Sequence, residues 1–519
     1  MVTVGKNILE NLTTGMYLDS RISFREYIQN ACDQIDLAIH LGILKSDEGE
    51  IEIYIDEAKR YISIKDNATG SKANEFAQDL GDIANSNKEL GKNKGFRGIG
   101  RLCGLAYCKT LKFSTSYYGE NIASIMTCDA QKMRELLASP IKYTVEQVWG
   151  QIIQFDTKKE DAEKHYFEVE LFDIGQAHSG LLNKQDVVEY LSFVAPVPYK
   201  NTFFLCQKVY EHAKQIHQSI DEYRVLVNGE QLFKNYTTKL KEESGTNIKN
   251  YDEISDLEFK DFYDENKNLI AWMWVGLSRF EKVIPKINKM RGIRLRSSNI
   301  QLGDEDTLQK RNLFKENRGN NYFVGEVFAV DTALKPNSQR DYFSENENRV
   351  LFEKLLKRYF FDTLTKIYYA ANGLKNAIKA QQEYVEKLDE FNSKATTGGF
   401  VDDTSKEKLR YEVDVAKEKA EKAKKQISKF DDIDSNTALA KVSSSIKGKY
   451  DIIHIQEKAT TTTIVEQPSD KKDTYITSRF SKLSKADRKL VSKVMAIICD
   501  IAPKEIAEQI IDRLTKEFK

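Results

Sequence analysis

Residues 25–34 read REYIQNACDQ, and this stretch lies inside a longer amphipathic segment. From Ser20 to Leu44 apolar side chains recur at helical spacing, at Ile22, Tyr27, Ile28, Ala31, Ile35, Ala38, Ile39 and Ile43. Such spacing is typical of a helix that buries one face against a core. The segment therefore predicts a long helix whose opposite, polar face can line a site.

That polar face carries two residues with useful chemistry. Glu26 and Asn30 are four positions apart, so they are neighbours on a helix surface. A carboxylate can position and polarise an attacking water, and an amide oxygen can complete the oxygen shell of a magnesium ion held by phosphates. Taken alone, such a pair is more often a solvated helix surface.

Two further features follow along the chain. The alternating segments 50–55 and 61–64 predict a β-hairpin, and Asp66 comes after them in the turn KDNATG at 65–70. A lone Asp there is usually a turn former, but a buried carboxylate could instead accept a hydrogen bond from the exocyclic amine of adenine. Farther on, GFRGIG at 95–100 opens an apolar helix. Its N–H groups could hold phosphate oxygens, although a GxxGxG pattern by itself more often marks a tight turn.

The order of these motifs is more specific than any one of them. REYIQNACDQ and KDNATG are followed by LGDIANSN at 80–87 and GFRGIGR at 95–101. Together the four resemble the nucleotide-site motifs of the GHKL ATPase superfamily, and within it those of the 90-kDa heat-shock chaperones of the HtpG type. The resemblance implies a Bergerat-type α/β sandwich that binds ATP and magnesium and hydrolyses ATP to ADP and phosphate.

The resemblance also implies a role for individual residues. Glu26 matches the catalytic glutamate, Asn30 the magnesium ligand and Asp66 the residue that reads adenine. Residues 80–100 match the mobile lid that covers ATP. The other nucleotide-binding positions that it implies are Asp33, Gly70, Gly95, Arg97, Gly98, Ile99 and Gly100.

The chain departs from the family pattern at two places. Ala68 stands where the aspartate motif usually has its first glycine, and alanine has less backbone freedom. Tyr166 and Phe167 stand where a Gly-Thr pair normally supports the adenine pocket. Both departures bear on the affinity for ATP, since the missing threonine hydroxyl would remove one water-mediated link to the base.

A second α/β domain is predicted between residues 206 and 345. In it, MRGIRLR at 290–296 and LKPNSQRDYF at 334–343 resemble the middle domain of the same chaperones. In those chaperones a loop arginine reaches the γ-phosphate of ATP, and Arg340 is the matching position. The alternative is a surface arginine in a polar loop.

The predicted fold class is α+β. Strand patterns at 109–116, 121–126, 149–155 and 167–172 add to the hairpin and complete the first sheet. Helical spacing returns from Arg349 to Phe391 and from Lys406 to Phe430. The predicted domains are an ATP-binding domain at 1–205, a middle or transducer-like domain at 206–345, a helical hairpin or coiled coil at 346–430, a linker at 431–475 and a helical module at 476–519.

The composition bears on the binding partners and the location expected for the protein. The 79 Lys and Arg balance the 79 Asp and Glu, so no net field attracts nucleic acid or membrane. The 6 cysteines lie in apolar contexts without zinc spacing and are expected to be reduced core thiols. No signal peptide and no run of 18 apolar residues occurs, which predicts a soluble, cytoplasmic protein without membrane contact.

The C-terminal third suggests partners. The hairpin has more apolar residues than one small domain can cover, which predicts a homodimer formed through the region after residue 345. In the last module Lys482, Lys485, Lys489 and Lys493 share a helix face. A solvated face is the plainer interpretation, and contact with nucleic acid is the alternative.

Two functions remain open. The first is an ATP-driven, chaperone-like machine that acts on a protein client or partner. The second is a MORC-like or topoisomerase-like ATPase linked to nucleic acid, in genome maintenance or defence against mobile DNA. A histidine kinase is excluded because no histidine and no phosphoacceptor helix precede Glu26. The neutral total charge favours the first function.

Overall fold

The computed structural model describes residues 4–13, 19–82, 100–316, 318–461, 463–464, 475–480 and 482–518. The chain divides into two compact units. One consists of Met1–Leu277 with Lys282–Thr365, and the other of Ser278–Glu281 with Lys366–Lys519. Among the described residues, no helix is both long enough and apolar enough to cross a membrane.

The first unit contains an eight-stranded sheet. Its strands are β1 (Glu50–Asp56), β2 (Tyr61–Asp66), β3 (Thr110–Ser116), β4 (Ile122–Asp129), β5 (Ile153–Lys159), β6 (Tyr166–Phe172), β7 (Arg224–Val227) and β8 (Glu230–Gln231). They lie in the order β5-β4-β3-β6-β2-β1-β7-β8. The pairs are antiparallel except β1 with β7, which run parallel. The sheet thus includes residues beyond position 205.

Helices cover one face of this sheet. They are α1 (Asn7–Leu12), α2 (Ile22–His40), α3 (Ala73–Gly81), α4 (Ala130–Ala138), α5 (Val145–Ile152) and α6 (Lys184–Val194). Helix α7 (Cys206–Gln215) packs instead in a separate core that includes Trp272 and Trp274. Helix α2 is the long helix predicted from the sequence. Its apolar residues share one buried core with side chains of β1, β2 and β3, among them Phe24, Ile28, Ile35, Ile51, Ile62 and Leu111.

The predicted strand at 149–155 is wrong in its first half, because residues Val145–Ile152 form α5. A capping box begins this helix. The Thr144 hydroxyl accepts from the Gln147 backbone N–H at 3.2 Å, and the Gln147 side chain accepts from the Thr144 N–H at 2.9 Å. Two donors at the helix start are thereby satisfied, and the chain becomes extended only after Ile152.

A second sheet follows in the same unit. After the two-stranded hairpin β9 (Lys239–Ser244) and β10 (Asn247–Glu253), its strands are β11 (Asp256–Tyr263), β12 (Leu269–Leu277), β13 (Gly292–Ser297), β14 (Ile300–Leu302) and β15 (Val324–Ala329). They lie in the order β11-β12-β15-β13-β14. The short helix α8 (Thr307–Lys310) follows β14. Aromatic side chains, including Trp272, Trp274, Tyr236 and Phe328, form the core.

A cluster of charged side chains is buried in that core. Glu326, Arg296 and Lys234 have no exposed side-chain surface. The Glu326 carboxylate accepts from Arg296, from Lys234 at 3.3 Å and from the Tyr236 hydroxyl at 3.0 Å. Lys234 also donates to the Asn299 side chain at 2.7 Å. Every charge in the cluster therefore has a partner, as buried charges require.

The remaining helices are α9 (Glu347–Tyr359), α10 (Thr365–Thr397), α11 (Asp403–Ser428), α12 (Ala438–Lys449), α13 (Ile452–Thr461), α14 (Lys485–Ile501) and α15 (Lys504–Glu517). A π-helical turn, Phe360–Leu364, joins α9 to α10. Helices α10 and α11 share a core that includes Leu388, Phe391, Val413 and Ala416. They confirm the predicted helical hairpin.

Two details of the C-terminal region differ from expectation. The segment 431–475, expected as a linker, contains α12 and α13. Five of the six cysteines are buried thiols as expected, but Cys499 is exposed on α14. The reason is that α14 turns only part of its surface toward the small core around Met495 and Ile511.

Candidate active site

Helix α2 brings three of the predicted site residues to one side of the first sheet. Glu26, Asn30 and Asp33 follow one another at spacings of four and three, so they lie along one helix face. Glu26 is 3% exposed and Asp33 is 5% exposed, whereas Asn30 is half-buried. The side chain predicted to bind an ion is thus the most accessible of the three.

Glu26 is held by two arginines. The Arg340 Nε atom lies 2.8 Å from Glu26 Oε1, and an Arg25 Nη2 atom lies 3.5 Å from the same oxygen. The Arg340 and Glu26 side chains are 11% and 4% exposed. Arg340 was predicted to act at this site, and the structure brings it to the carboxylate across more than 300 residues of sequence.

The backbone of the Arg340 loop is fixed as well. Arg340 has φ of 53°, in the left-handed region that few residues other than glycine adopt. Its carbonyl oxygen accepts from the Gly303 N–H at 3.0 Å and from Arg25 Nη1 at 3.3 Å. Arg25 therefore contacts both members of the ion pair. The sequence offered no signal for this role, because the contact joins α2 to a loop more than 300 residues later in the chain.

Asp66 ends β2 and points toward the helix layer. It continues the alternation of Ile62 and Ile64, which belong to the core under α2. Its side chain is 5% exposed, and one carboxylate oxygen accepts from the Ala68 N–H at 3.0 Å. The Thr69 hydroxyl in the same turn donates to Gln34 Oε1 at 2.8 Å, which ties the turn to α2.

The strand pairing shows the surroundings of Phe167, which stands where the family pattern has a threonine. Phe167 of β6 pairs with Asp66 on one side and with Thr115 of β3 on the other. The Thr115 hydroxyl donates to the Tyr166 carbonyl at 2.8 Å and accepts from the Ser71 N–H at 2.9 Å. A buried threonine hydroxyl thus lies one strand beyond the position where the family pattern has one. Nothing in the sequence distinguishes it from other threonines in strands.

Two glycines of the motifs permit close approach of the backbone. Gly70 has φ of 70°, and a Cβ there would overlap the Ser116 carbonyl oxygen. A Cβ on Gly100 would overlap the Glu26 carboxylate. Gly100 begins the 3-10 helix Gly100–Ala106, so the end of the glycine motif lies directly against Glu26. The predicted residues Gly95, Arg97, Gly98 and Ile99 lie outside the described part of the chain, as do residues 83–99 of the lid predicted at 80–100.

A tyrosine missed by the sequence analysis connects α2 to the segment after the lid. The Tyr27 hydroxyl donates to the Arg101 carbonyl at 3.0 Å and accepts from the Gly104 N–H at 3.0 Å. Burial raises the pKa of this hydroxyl, so it stays protonated and able to donate. Burial, together with the nearby Glu26 carboxylate, also raises the pKa of the Cys103 thiol. Tyr27 was counted only as an apolar position of the helix.

Comparison with known proteins agrees with this geometry. Residues 26–160 match the family model described as histidine kinase-, DNA gyrase B- and HSP90-like ATPase. A stretch of 85 residues is 34% identical to Chaperone protein HtpG of Campylobacter jejuni subsp. doylei, covering 15% of this chain and 14% of that protein. The corresponding protein of Helicobacter hepaticus is 33% identical over 85 residues, with the same coverage.

The chain therefore matches only about 14% of the length of these curated relatives. The matched family region includes Glu26, Asn30, Asp33, Asp66, Gly70 and Gly100, and it excludes Arg340. These findings confirm the resemblance drawn from the four motifs. Residues 26–160 of this chain are similar to the ATPase domain of the histidine kinase-, DNA gyrase B- and HSP90-like proteins.

Proposed function

We propose that the chain binds ATP with magnesium at α2, hydrolyses it, and uses the reaction as a chaperone-like conformational machine acting on a protein client or partner. The observation that carries this proposal is the buried ion pair between Glu26 and Arg340, with 2.8 Å between its atoms. It joins the ATPase domain to a loop that follows the second sheet. A structural change where the phosphates bind would therefore alter contacts outside the ATPase domain.

Each site residue has a distinct part in the proposed reaction. Asp66 reads the exocyclic amine of adenine, since its buried carboxylate requires donors. Asn30 supplies an oxygen ligand from the accessible part of the helix face, which suits a hard cation such as magnesium. When bound, magnesium neutralises phosphate charge and orients the terminal phosphoryl group.

Glu26 serves as the base for the attacking water. In the described conformation its carboxylate is neutralised by Arg340 and Arg25. On ATP binding, Arg340 exchanges the carboxylate for the γ-phosphate. The exchange leaves Glu26 able to accept a proton and places a positive charge where negative charge develops in the transition state. Hydrolysis then depends on the position of the Arg340 loop.

The protein-client function is supported by the names of the two curated relatives, both chaperones, and by the equal numbers of acidic and basic residues. One observation favours the second function, an ATPase linked to nucleic acid. The side chains of Lys482, Lys485, Lys489 and Lys493 are all exposed in the C-terminal module. If DNA is the partner, its affinity should fall steeply with salt concentration.

The test compares two variants of the full chain. Glu26→Ala should bind ATP as the wild type does and lose turnover by at least about a hundredfold, because the base acts on water and not on the nucleotide. Asp66→Asn should instead weaken ATP binding by at least about tenfold, since it removes a charged acceptor from adenine. Calorimetric titration and phosphate release measure the two quantities.

Glu48→Ala is the matched control, because Glu48 is an exposed carboxylate paired with Lys45 away from the site. It should change neither quantity. Unchanged turnover in Glu26→Ala would remove Glu26 from the mechanism, and unchanged affinity in Asp66→Asn would show that the adenine pocket is misassigned.

A further inference from the structure

A cleft of about 650 Å³ opens beside the Glu26–Arg340 pair, within the first unit. Its walls come from the start of α2, from the C-terminal half of α6, from the chain between β14 and α8, and from the Arg340 loop. Asn30, Asp66 and Gly100 do not line it. The proposed ATP reaction therefore gives this cleft no task, although Arg340 takes part in both places.

The charges of the cleft do not cancel. Among the residues that the structure describes, seven Lys and Arg and five Asp and Glu line it. Three of the carboxylates are occupied by cations of the same cleft, in the pairs Asp19 with Arg21, Glu189 with Lys289, and Asp304 with Lys310. Arg25 and Arg340 share Glu26, which lies behind the wall. Counting Glu26 with the five carboxylates still leaves one more cation than anion.

Two of these arginines are buried and incompletely bonded. Arg25 is 4% exposed and Arg294 is 3% exposed. Within the described residues, the Nε–H of each has no hydrogen-bond acceptor. Arg294 donates through Nη1 to Gln301 at 2.9 Å and stacks on the Phe193 ring at 4.2 Å, while Glu305 stays 3.9 Å away. A buried guanidinium with an unused N–H is costly, so an anion that supplies acceptor oxygens would be stabilised there.

We propose that this cleft is a second anion site, which binds a phosphate-class oxyanion between the guanidinium groups of Arg25, Arg294 and Arg311. Guanidinium groups match the oxygens of phosphate in planar, multiple hydrogen bonds. The anion is orthophosphate, either released by hydrolysis or taken from solution. Because Arg340 faces both the cleft and Glu26, an anion in the cleft competes with Glu26 for this arginine. Binding itself does not require the proposed ATPase activity.

The experiment measures orthophosphate binding to the full chain without nucleotide. Thermal unfolding and equilibrium dialysis are followed as phosphate replaces chloride at constant ionic strength. A saturable rise in melting temperature is expected, with one phosphate bound per chain. Saturable binding should persist with a non-hydrolysable ATP analogue present, because the two sites are distinct. Loss of phosphate binding on adding the analogue would place the anion in the nucleotide pocket and overturn the proposal.

Variants locate the site. Arg311→Gln changes an exposed residue and should fold normally, while Arg294→Gln changes a buried one. Each should weaken phosphate binding by about tenfold, the effect of losing one charged hydrogen bond. Lys45→Gln, an exposed lysine outside the cleft, is the control and should bind as the wild type does. Equal affinity in Arg311→Gln and the wild type, or a rise in melting temperature that does not saturate, would overturn the proposal.

The two sources of phosphate are then separated by turnover. If product phosphate occupies the cleft, hydrolysis of ATP by the wild type should be inhibited by added phosphate, and Arg311→Gln should relieve the inhibition. Phosphate binding with no effect on turnover would assign the site to an anion from solution. A protein that binds phosphate in this way but does not hydrolyse ATP would refute the proposed function and leave the anion site standing.

Discussion

At the scale of single residues, one oxygen of the buried Glu26 carboxylate contacts the guanidinium groups of both Arg25 and Arg340. A buried ion pair of this kind stabilises a protein little, because the cost of desolvation offsets the Coulombic gain. Removing one partner is more damaging, since it leaves the other charge uncompensated. Arg25 should limit that damage here, because its Nη2 atom lies 3.5 Å from the same oxygen of Glu26.

Arg340→Ala should therefore fold and bind ATP with near wild-type affinity but hydrolyse it at least about tenfold more slowly, because the arginine acts on charge that develops in the transition state. Single-turnover kinetics and calorimetric titration separate the two effects. Arg318→Ala is a suitable control, since Arg318 is an exposed arginine paired with Glu316. A large loss of ATP affinity in Arg340→Ala would contradict a transition-state role.

Single residues also show how far the sequence could lead. Glu26, Asp66 and Gly100 could be predicted from the sequence, because the proposed contacts with water, adenine and phosphate each require a particular type of residue. The sequence does not predict that Gly100 lies so close to Glu26 that a Cβ would overlap the carboxylate. It also does not predict the contact of Arg25 with the Arg340 carbonyl. Both depend on packing between segments distant in the chain.

At the scale of elements, β13 and β15 place Arg296 and Glu326 in the core of the second sheet, where Lys234 joins them. Burial favours the neutral carboxylic acid, yet attraction by Arg296 and Lys234 overrides it and lowers the pKa of Glu326 to about 2. Burial and the nearby Arg296 guanidinium lower the pKa of Lys234 to about 7. The cluster was not predicted, because strand patterns alone do not show where a charged residue finds its partner.

The lowered pKa of Lys234 predicts that the stability of the folded protein depends on pH. In the unfolded chain Lys234 stays protonated up to about pH 10.4, whereas in the folded chain it loses its proton near pH 7. Between these values the unfolded state binds more protons, so the free energy of unfolding rises with pH, by at most about 1.4 kcal/mol per unit for one proton. The free energy of unfolding of the wild type should thus rise relative to that of Lys234→Met between pH 7 and 9.

Denaturant unfolding followed by tryptophan fluorescence measures the free energy of unfolding of both proteins, because Trp272 and Trp274 lie in the second core. Lys208→Met, which replaces a lysine paired with Asp256 at the surface, controls for loss of a lysine. Parallel curves for the wild type and Lys234→Met across pH 7–9 would mean that Lys234 stays charged in the folded protein.

The predicted secondary structure was wrong where a helix-capping motif opposed the pattern of apolar residues. The apolar run at 149–155 favoured a strand, but the capping box at Thr144 commits the preceding residues to a helix. The sequence TVEQ at 144–147 has the residues of a capping box, which favours this helix start. The hairpin α10 and α11 was predicted well because two long helices with uninterrupted spacing leave few alternatives.

At the scale of the whole molecule, the C-terminal unit exposes a row of apolar side chains. On α14, Leu490, Val494, Ile497 and Ile501 are 64%, 45%, 57% and 79% exposed. Their spacing of four, three and four residues places them on one face of the helix, and Met495 and Val491 pack into the small core on another. An exposed apolar stripe of this length is typical of a contact surface.

We therefore predict a homodimer formed by the region after residue 345, with α14 as part of its interface. Light scattering of the full chain at micromolar concentration should give twice the mass of one chain. Leu490→Glu combined with Ile497→Glu should shift it toward the monomer, because burying carboxylates in an apolar contact is costly. Lys493→Glu, a change of an exposed residue beside the stripe, is the control. A monomeric wild type, with and without an ATP analogue, would contradict the prediction.

The left-handed backbone of Arg340 has an evolutionary consequence. An arginine in that conformation costs roughly 1–2 kcal/mol relative to glycine, and asparagine also adopts it more readily. Stability alone would therefore favour glycine or asparagine at this position. The contact with Glu26, and with phosphate in the proposed reaction, favours the arginine. Among related chains, we expect glycine or asparagine at this position where the glutamate has been lost. Arginine there would mark lineages that still hydrolyse ATP, which makes a single backbone angle a guide to which homologues are active.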